Sequence, residues 1–119
     1  MIFQRITSTV RPGATLPGTK YTVKGLGKRR GESALVYRIG SRTPGARPSE
    51  KGITKSEFEQ AYSQLVTAGR FTRKWFEANL GRSAVEAPCN FKVMGGVFVM
   101  LGIASYKRGE FTSTNGAAP

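Results

Sequence analysis

Lysine and arginine supply most of the chemistry available to this sequence. Nineteen basic residues face seven glutamates, aspartate and histidine are absent, and the formal net charge is +12 in a chain of 12.9 kDa. A small domain stays soluble with a net charge of about 2 to 8, and a larger excess destabilises the compact state by self-repulsion. A positive field of this strength also concentrates polyanions at the surface. We therefore expect an anionic partner, foremost nucleic acid held through its phosphate groups.

The basic residues are concentrated in the first half of the chain. Residues 1–53 hold 11 basic and 2 acidic side chains, a net +9, whereas residues 54–119 hold 8 and 5, a net +3. Three consecutive cations at 28–30 are bounded by glycines, as at the tip of a hairpin, where long side chains reach a phosphate backbone. The predicted nucleic-acid contacts are Lys24, Lys28, Arg29, Arg30, Arg38, Arg42 and Arg47, followed by Lys107 and Arg108 in a second predicted hairpin.

The other motifs in the sequence fail the spacing tests for cofactor and metal sites. Residues 13–20 have the glycine spacing of a phosphate-binding loop, but the order of lysine and hydroxyl is reversed and a strand-like segment follows. Gly25, Gly27 and Gly31 miss the dinucleotide-binding spacing by one residue. Because histidine and aspartate are absent and Cys89 is the single cysteine, no zinc set, Ser-His-Asp triad or intrachain disulfide is available. We expect neither a cofactor nor a metal.

Two functions of other classes stay open beside a non-catalytic binder. Small ribonucleases of the toxin type can work without histidine, using tyrosine, lysine and arginine. Tyr37 beside Arg38, or Tyr106 beside Lys107 and Arg108, would supply an activated phenol and a charge clamp for a phosphoryl transition state. The other alternative is a structural or protein-interaction module that forms a homo-oligomer. We expect no enzymatic activity, and an anionic partner is the leading prediction.

The first half of the chain is predicted to be rich in β-structure. Residues 2–6 read as a short strand, and residues 20–24 and 34–39 as two strands of a hairpin around the basic tip. Residues 41–52 contain two prolines, two glycines and two arginines, which is typical of a polar loop.

The second half is predicted to be helical. Thr54 and Glu57 form a capping-box pattern, and apolar residues at helical spacing then continue to a stop at Gly69. A second helix is predicted from Thr72 to Gly81, paired tightly with the first. The predicted common core comprises Phe58, Tyr62, Leu65, Trp75 and Phe76.

The end of the chain combines an ambiguous apolar segment with a hairpin. Residues 88–101 fit a helix or a buried strand, and the helical spacing is favoured. A hairpin then joins residues 103–106 to 110–113. The predicted fold is α+β: an N-terminal antiparallel hairpin or small sheet packed on two to three helices, with a short C-terminal hairpin.

Length favours a single domain over residues 1–119, divided into a basic β-rich half at 1–53, a helical half with its hairpin at 54–113, and a frayed tail at 114–119. No apolar run reaches the ~20 residues of a membrane span, and residues 1–10 are too polar for a secretory signal. The lone cysteine agrees with a reducing compartment, so a cytoplasmic location is predicted.

Two resemblances to known families accompany these patterns. Residues 103–111, IASYKRGEF, come after three predicted helices and resemble the end of a winged-helix domain, which implies a wing tip at Lys107 and Arg108. The would-be recognition helix carries only Lys92 as a charge, and this departs from a helix that reads a major groove. Residues 58–62, 71–76 and 89–98 are similar to uncharacterised small proteins of bacterial mobile gene cassettes, a resemblance that implies a bacterial source and no particular function.

Overall fold

The computed structural model describes residues 2–40, 45 and 49–114, and these residues form two small antiparallel sheets and five helices. In the first sheet Glu32–Ile39 lies between Thr22–Arg29 and Ser49–Thr54, and in the second sheet Glu110–Ser113 lies between Arg70–Thr72 and Ala104–Lys107. The predicted α+β class is confirmed. The elements in chain order are α1 (Ile2–Thr9), β1 (Thr22–Arg29), β2 (Glu32–Ile39), β3 (Ser49–Thr54), α2 (Lys55–Ala68), β4 (Arg70–Thr72), α3 (Arg73–Asn79), α4 (Gly81–Glu86), α5 (Asn90–Met100), β5 (Ala104–Lys107) and β6 (Glu110–Ser113).

The prediction of a strand at residues 2–6 is wrong, because these residues lie in helix α1. Ile2, Phe3 and Ile6 are buried, and Val10, four residues further on, is buried as well. Spacing of this kind places the four side chains on one helical face. A window that ends at Ile6 contains too little of the pattern to distinguish a helix from a strand.

The predicted hairpin of the first half is confirmed as β1 and β2, but both strands extend further toward the turn than predicted. Lys28 and Arg29 therefore lie in β1 and not at the tip of the hairpin. Its turn is Arg30-Gly31, with φ values of 52° and 77°, as in two-residue turns of type I′. The predicted loop at residues 41–52 is wrong in its last part, because Ser49–Thr54 forms β3 and pairs with β2. This strand contains lysine, glutamate and glycine, which are uncommon in strands, and it was therefore not predicted. It lies at the sheet edge and is exposed along its first half.

The helix boundaries of the second half follow the predicted capping signals. In the capping box of α2 the Thr54 backbone N–H donates to Glu57 Oε1 at 2.8 Å, and Gly69 ends the helix with φ 81°. Thr72 caps α3 by accepting from the Trp75 backbone N–H at 3.1 Å. The predicted tight pairing of these two helices is wrong, since β4 separates them and α3 lies against α4.

Helix α5 is the buried centre of the second half, as the helical spacing predicted. Its Gly95 faces the Phe111 ring of β6 so closely that a Cβ atom would lie 2.1 Å from the ring. Phe71 of β4 packs against five aromatic rings around this point, and one hydrophobic cluster joins both halves of the chain. Of the predicted core, Phe58, Leu65 and Phe76 are buried, whereas Tyr62 and Trp75 are half-buried at its margin.

Candidate functional site

Two of the predicted phosphate contacts share one carboxylate. Lys24 Nζ lies 3.0 Å from Glu50 Oε1, and Arg38 Nε lies 3.1 Å from Glu50 Oε2. Hydrogen bonds from Lys24 first, and then from Arg38, hold the pKa of Glu50 below its usual range. The two cations therefore already have an anionic partner within the first sheet.

Arg30, at the hairpin tip, is bound to the helical half of the molecule. Its Nη2 lies 2.9 Å from Glu57 Oε2 and its Nη1 lies 3.1 Å from Glu86 Oε1, leaving the side chain 25% exposed. Glu57 also belongs to the capping box of α2, and Glu86 pairs with Arg82 at 2.9 Å. The turn predicted to project into solvent is thus docked on α2 and α4.

Lys28 and Arg29 diverge, although they are adjacent in the sequence. The Arg29 side chain lies along Gly52 of β3, where a Cβ atom would be 2.7 Å from Arg29 Cγ, and its Nη1 donates to the Lys28 carbonyl at 2.8 Å. Lys28 is exposed and takes part in none of the ion pairs between described residues. The three consecutive cations therefore do not form one contact surface.

Lys107 and Arg108 lie at the tip of the β5–β6 hairpin and are exposed. Arg108 and Gly109 form the turn with φ values of 53° and 84°, closely similar to the other Arg-Gly turn. Neither cation joins an ion pair within the described part of the chain. The predicted contacts Arg42 and Arg47 lie outside the described residues.

A groove that was not predicted from the sequence runs between α5 and the loop at residues 17–21. It consists of two adjoining cavities that share Gly18 and Lys92, and we call it the Lys92 groove. The apolar cavity, of about 340 Å³, is further lined by Pro17, Gly96, Val99, Tyr106 and Phe111. The second cavity, of about 580 Å³, is more polar than the first, and we call it the polar cavity. It is further lined by Thr19, Lys20, Tyr21, Ile39 and Gly40.

Lysines are the charged side chains in the described lining of the groove, with Lys92 where the two cavities meet and Lys20 in the polar one. Lys92 is exposed although its helix neighbours Phe91 and Val93 are buried. Lys92 is exposed because its side chain faces the groove and not the core. The one exposed charge on an otherwise apolar helix was the sequence signal for this site.

Short local contacts give the groove its shape. Gly96 of α5 allows the loop to approach closely, since a Cβ atom there would lie 3.3 Å from the Pro17 carbonyl oxygen. Thr19 Oγ1 donates to the Leu16 carbonyl at 2.8 Å and accepts from the Tyr21 backbone N–H at 3.0 Å, which closes the loop into a turn. The groove therefore lies between two segments that are distant in the chain, the loop at residues 17–21 and helix α5.

Tyrosine rings stand at both ends of the groove. Tyr106 is 54% exposed, and its ring packs on Phe111 across the β5–β6 hairpin, with ring centroids 4.9 Å apart. The half-buried Tyr21 ring lies 5.7 Å from the ring of Tyr37. Each tyrosine ring thus packs against another aromatic ring and also borders one of the cavities.

Tyr37 belongs to a buried polar cluster between β2 and α5. Its hydroxyl donates to Asn90 Oδ1 at 2.5 Å and lies 2.9 Å from Cys89 Sγ, while Asn90 Nδ2 donates to Ser83 Oγ at 2.7 Å. Burial, together with the Cys89 contact, raises the pKa of the Tyr37 phenol. A protonated phenol with no exposed surface serves to fasten α5 to the sheet, and it offers no base to a substrate.

Comparisons with protein family models, with curated proteins and with solved structures found no match for this chain. Among residues 2–40, 45 and 49–114, no group of three or more cysteine, histidine or acidic side chains is placed to hold a metal ion. No helix in the same part of the chain has the length and apolar character needed to cross a membrane.

Proposed function

We propose that the protein binds nucleic acid through phosphate groups, without catalysis, and that the Lys92 groove and the β5–β6 hairpin tip form the contact surface. One observation carries the proposal. In the described lining of the groove the charged groups are Lys20 and Lys92, with no carboxylate beside them. Tyr106 continues the lining into the hairpin whose next two residues are Lys107 and Arg108.

The distribution of ion pairs supports this surface over the β1–β2 tip. Arg30, Lys24 and Arg38 each have a glutamate within about 3 Å. A phosphate that binds there has to compete with a carboxylate already in place. Lys20, Lys92, Lys107 and Arg108 have no ion pair among the described residues, so a phosphate that binds them displaces only water and counterions.

A salt series with labelled single-stranded and duplex oligonucleotides tests the proposal. Each phosphate contact contributes about 0.7 to the slope of log affinity against log salt for a single strand and about 0.9 for duplex DNA. We expect the double variant K20A/K92A to flatten the slope by about 1.4 on a single strand, because two contacts are lost. The double variant K107A/R108A reports the hairpin tip in the same way.

The matched control is K55A/K74A, which removes the same charge from exposed positions on α2 and α3. It should keep nearly the wild-type slope. Equal losses in the control and in K20A/K92A would place the contacts elsewhere, and a wild-type protein that binds neither oligonucleotide at low salt would overturn the function. The same samples, run with RNA and inspected for cleavage, report the His-free ribonuclease alternative.

A further inference from the structure

The two halves of the Lys92 groove differ in chemistry. Apolar side chains, glycine and Lys92 line the cavity beside Tyr106, whereas the other cavity is more polar and adds Thr19, Lys20 and Tyr21 to Ile39 and the shared Lys92. Phosphates on the outside of a duplex would contact the ammonium groups and leave the apolar cavity unused. An occupant that fits both halves carries negative charge and an apolar, planar group on the same chain.

The size of the apolar cavity suits a nucleobase. Its volume of about 340 Å³ lies near the lower end of the range, about 300 to 1,000 Å³, in which proteins enclose small ligands. Bases in a duplex are paired and stacked, and entering a cavity costs them a few kcal/mol of unpairing and unstacking, whereas an unpaired base enters at a smaller cost. The cavity therefore selects a single strand.

Tyr106 provides the surface on which such a base would stack. The ring packs against the buried Phe111, with ring centroids 4.9 Å apart, and the residue keeps 54% of its surface exposed. A ring that is already fixed loses little conformational freedom on binding, and stacking tolerates every base because each has a π-face. Lys92, at the junction of the cavities, lies next to the path of the strand as it leaves the base.

We infer that the Lys92 groove binds a single strand of nucleic acid, with one unpaired base in the apolar cavity against Tyr106 and adjoining phosphates at Lys92 and Lys20. This inference rests on the proposed function and names the ligand class of the same site. Phosphates give the strand its affinity, and the base distinguishes a single strand from a duplex.

Three probes of equal length separate the base from the phosphates: an oligothymidylate, an abasic single strand with the same number of phosphates, and a duplex. Stacking of one base corresponds to about a tenfold gain, so we expect oligothymidylate to bind about tenfold more tightly than the abasic strand. Y106A should bring the ratio of the two affinities to about one. Y106F should keep the wild-type ratio, since stacking does not require the hydroxyl, and K92A should weaken both single strands alike.

Photocrosslinking of wild-type protein to a bromodeoxyuridine oligonucleotide gives a second readout that needs no folded variant. A crosslink on the peptide that contains Tyr106 supports the inference, and crosslinks confined to peptides outside the groove overturn it. If none of the three probes binds at low salt, the proposed function itself fails. If oligothymidylate and the abasic strand bind equally, or the duplex binds more tightly, phosphate binding stands and the base pocket is wrong.

Discussion

Two arginines occupy the same unfavourable backbone conformation in different surroundings. Arg30 has φ 52° and Arg108 has φ 53°, each followed by a glycine at the tip of a hairpin. A left-handed conformation costs a non-glycine residue about 1 kcal/mol, and asparagine tolerates it better. Arg30 offsets this cost by pairing with Glu57 and Glu86, whereas Arg108 has no ion pair within the described residues. The side chain of Arg30 is therefore structural, and that of Arg108 is free to bind a ligand.

Replacing each arginine with asparagine separates the two roles, because asparagine keeps the turn and removes the charge. R30N leaves the Glu57 carboxylate, with its side chain 8% exposed, without its cation, so we expect a loss of about 2 kcal/mol in the free energy of unfolding. R108N should change the stability by less than about 0.5 kcal/mol. Urea denaturation of both variants measures the difference, and equal changes would contradict a structural role for Arg30.

The ion pairs of Glu50 with Lys24 and Arg38 predict that the titration of Glu50 depends on these two cations. Because the pKa of Glu50 is lowered in the folded protein, its contribution to stability is present above the unfolded pKa and is lost as the pH falls through the folded value. In the double variant K24A/R38A we expect the pKa of Glu50 to rise toward its ordinary value. Carboxyl NMR of labelled glutamate measures this shift, with K74A as the control. A Glu50 titration unchanged in K24A/R38A would mean that the bridge does not persist in solution.

At the scale of elements, the features that are best predicted from the sequence are those determined by residues close together in the chain. The capping box at Thr54, the stop at Gly69 and the β1–β2 turn depend on residues a few positions apart, and all are present. Strand β4 has only three residues and pairs with β6 some forty positions later, so no local period marks it. Strand β3 depends in the same way on β2 to satisfy its backbone.

The candidate site shows the same limit. The sequence reveals every cation but not its partner, and Arg30 meets Glu86 across 56 positions. The groove combines the loop at 17–21, the end of β2, α5 and the C-terminal hairpin. Lys92 gave the one local signal, and only the tertiary packing shows what it faces.

Gly95 tests how closely α5 and β6 are packed. In G95A the new methyl group would meet the Phe111 ring at 2.1 Å, and that ring is buried among Phe71 and Phe91. Alanine gains about 1 kcal/mol in helix propensity, but crowding of a packed core costs about 1 to 3 kcal/mol. We expect net destabilisation in urea denaturation, together with weaker oligonucleotide binding because Phe111 also lines the groove.

Gly81 provides the matched control, since it also lies in a helix and a Cβ atom there meets nothing within 4 Å. G81A should leave the unfolding free energy within about 0.5 kcal/mol of wild type, or raise it slightly. If G95A were as stable as G81A, the Phe111 ring would have to move freely, and the apolar half of the groove would not have a fixed shape.

At the scale of the whole molecule, the basic and balanced halves of the sequence do not remain separate. The β1–β2 turn is anchored to α2 and α4 through Arg30, and one hydrophobic cluster contains residues from α1 through β6. Ion pairs between described residues take up Glu50, Glu57, Glu86 and Glu110, and Glu32 accepts hydrogen bonds from Ser56 at the start of α2. Few carboxylates are left to offset the remaining cations, so the excess charge faces solvent.

This distribution predicts how stability depends on salt. Added salt weakens both the ion pairs, which stabilise the fold, and the repulsion among cations, which destabilises it. Five of the six ion pairs between described residues involve side chains at least 47% exposed on one partner, and exposed pairs contribute about 0 to 1 kcal/mol each. In contrast, the repulsion that results from the net charge of +12 acts on every basic residue at once. We expect repulsion to dominate, so the melting temperature should rise as sodium chloride is increased from low ionic strength.

The same melting experiment distinguishes screening from specific binding. An oligothymidylate added at low salt should raise the melting temperature further, because a ligand that binds only the folded state stabilises it by mass action. This second increment should shrink as salt is added, since the phosphate contacts are salt-dependent. In K20A/K92A the increments from sodium chloride and from the oligonucleotide should both persist in reduced form, with the oligonucleotide increment reduced more because two phosphate contacts are lost. A melting temperature that falls steadily with sodium chloride would show that ion pairs outweigh repulsion, and the excess charge would then need no polyanion to balance it.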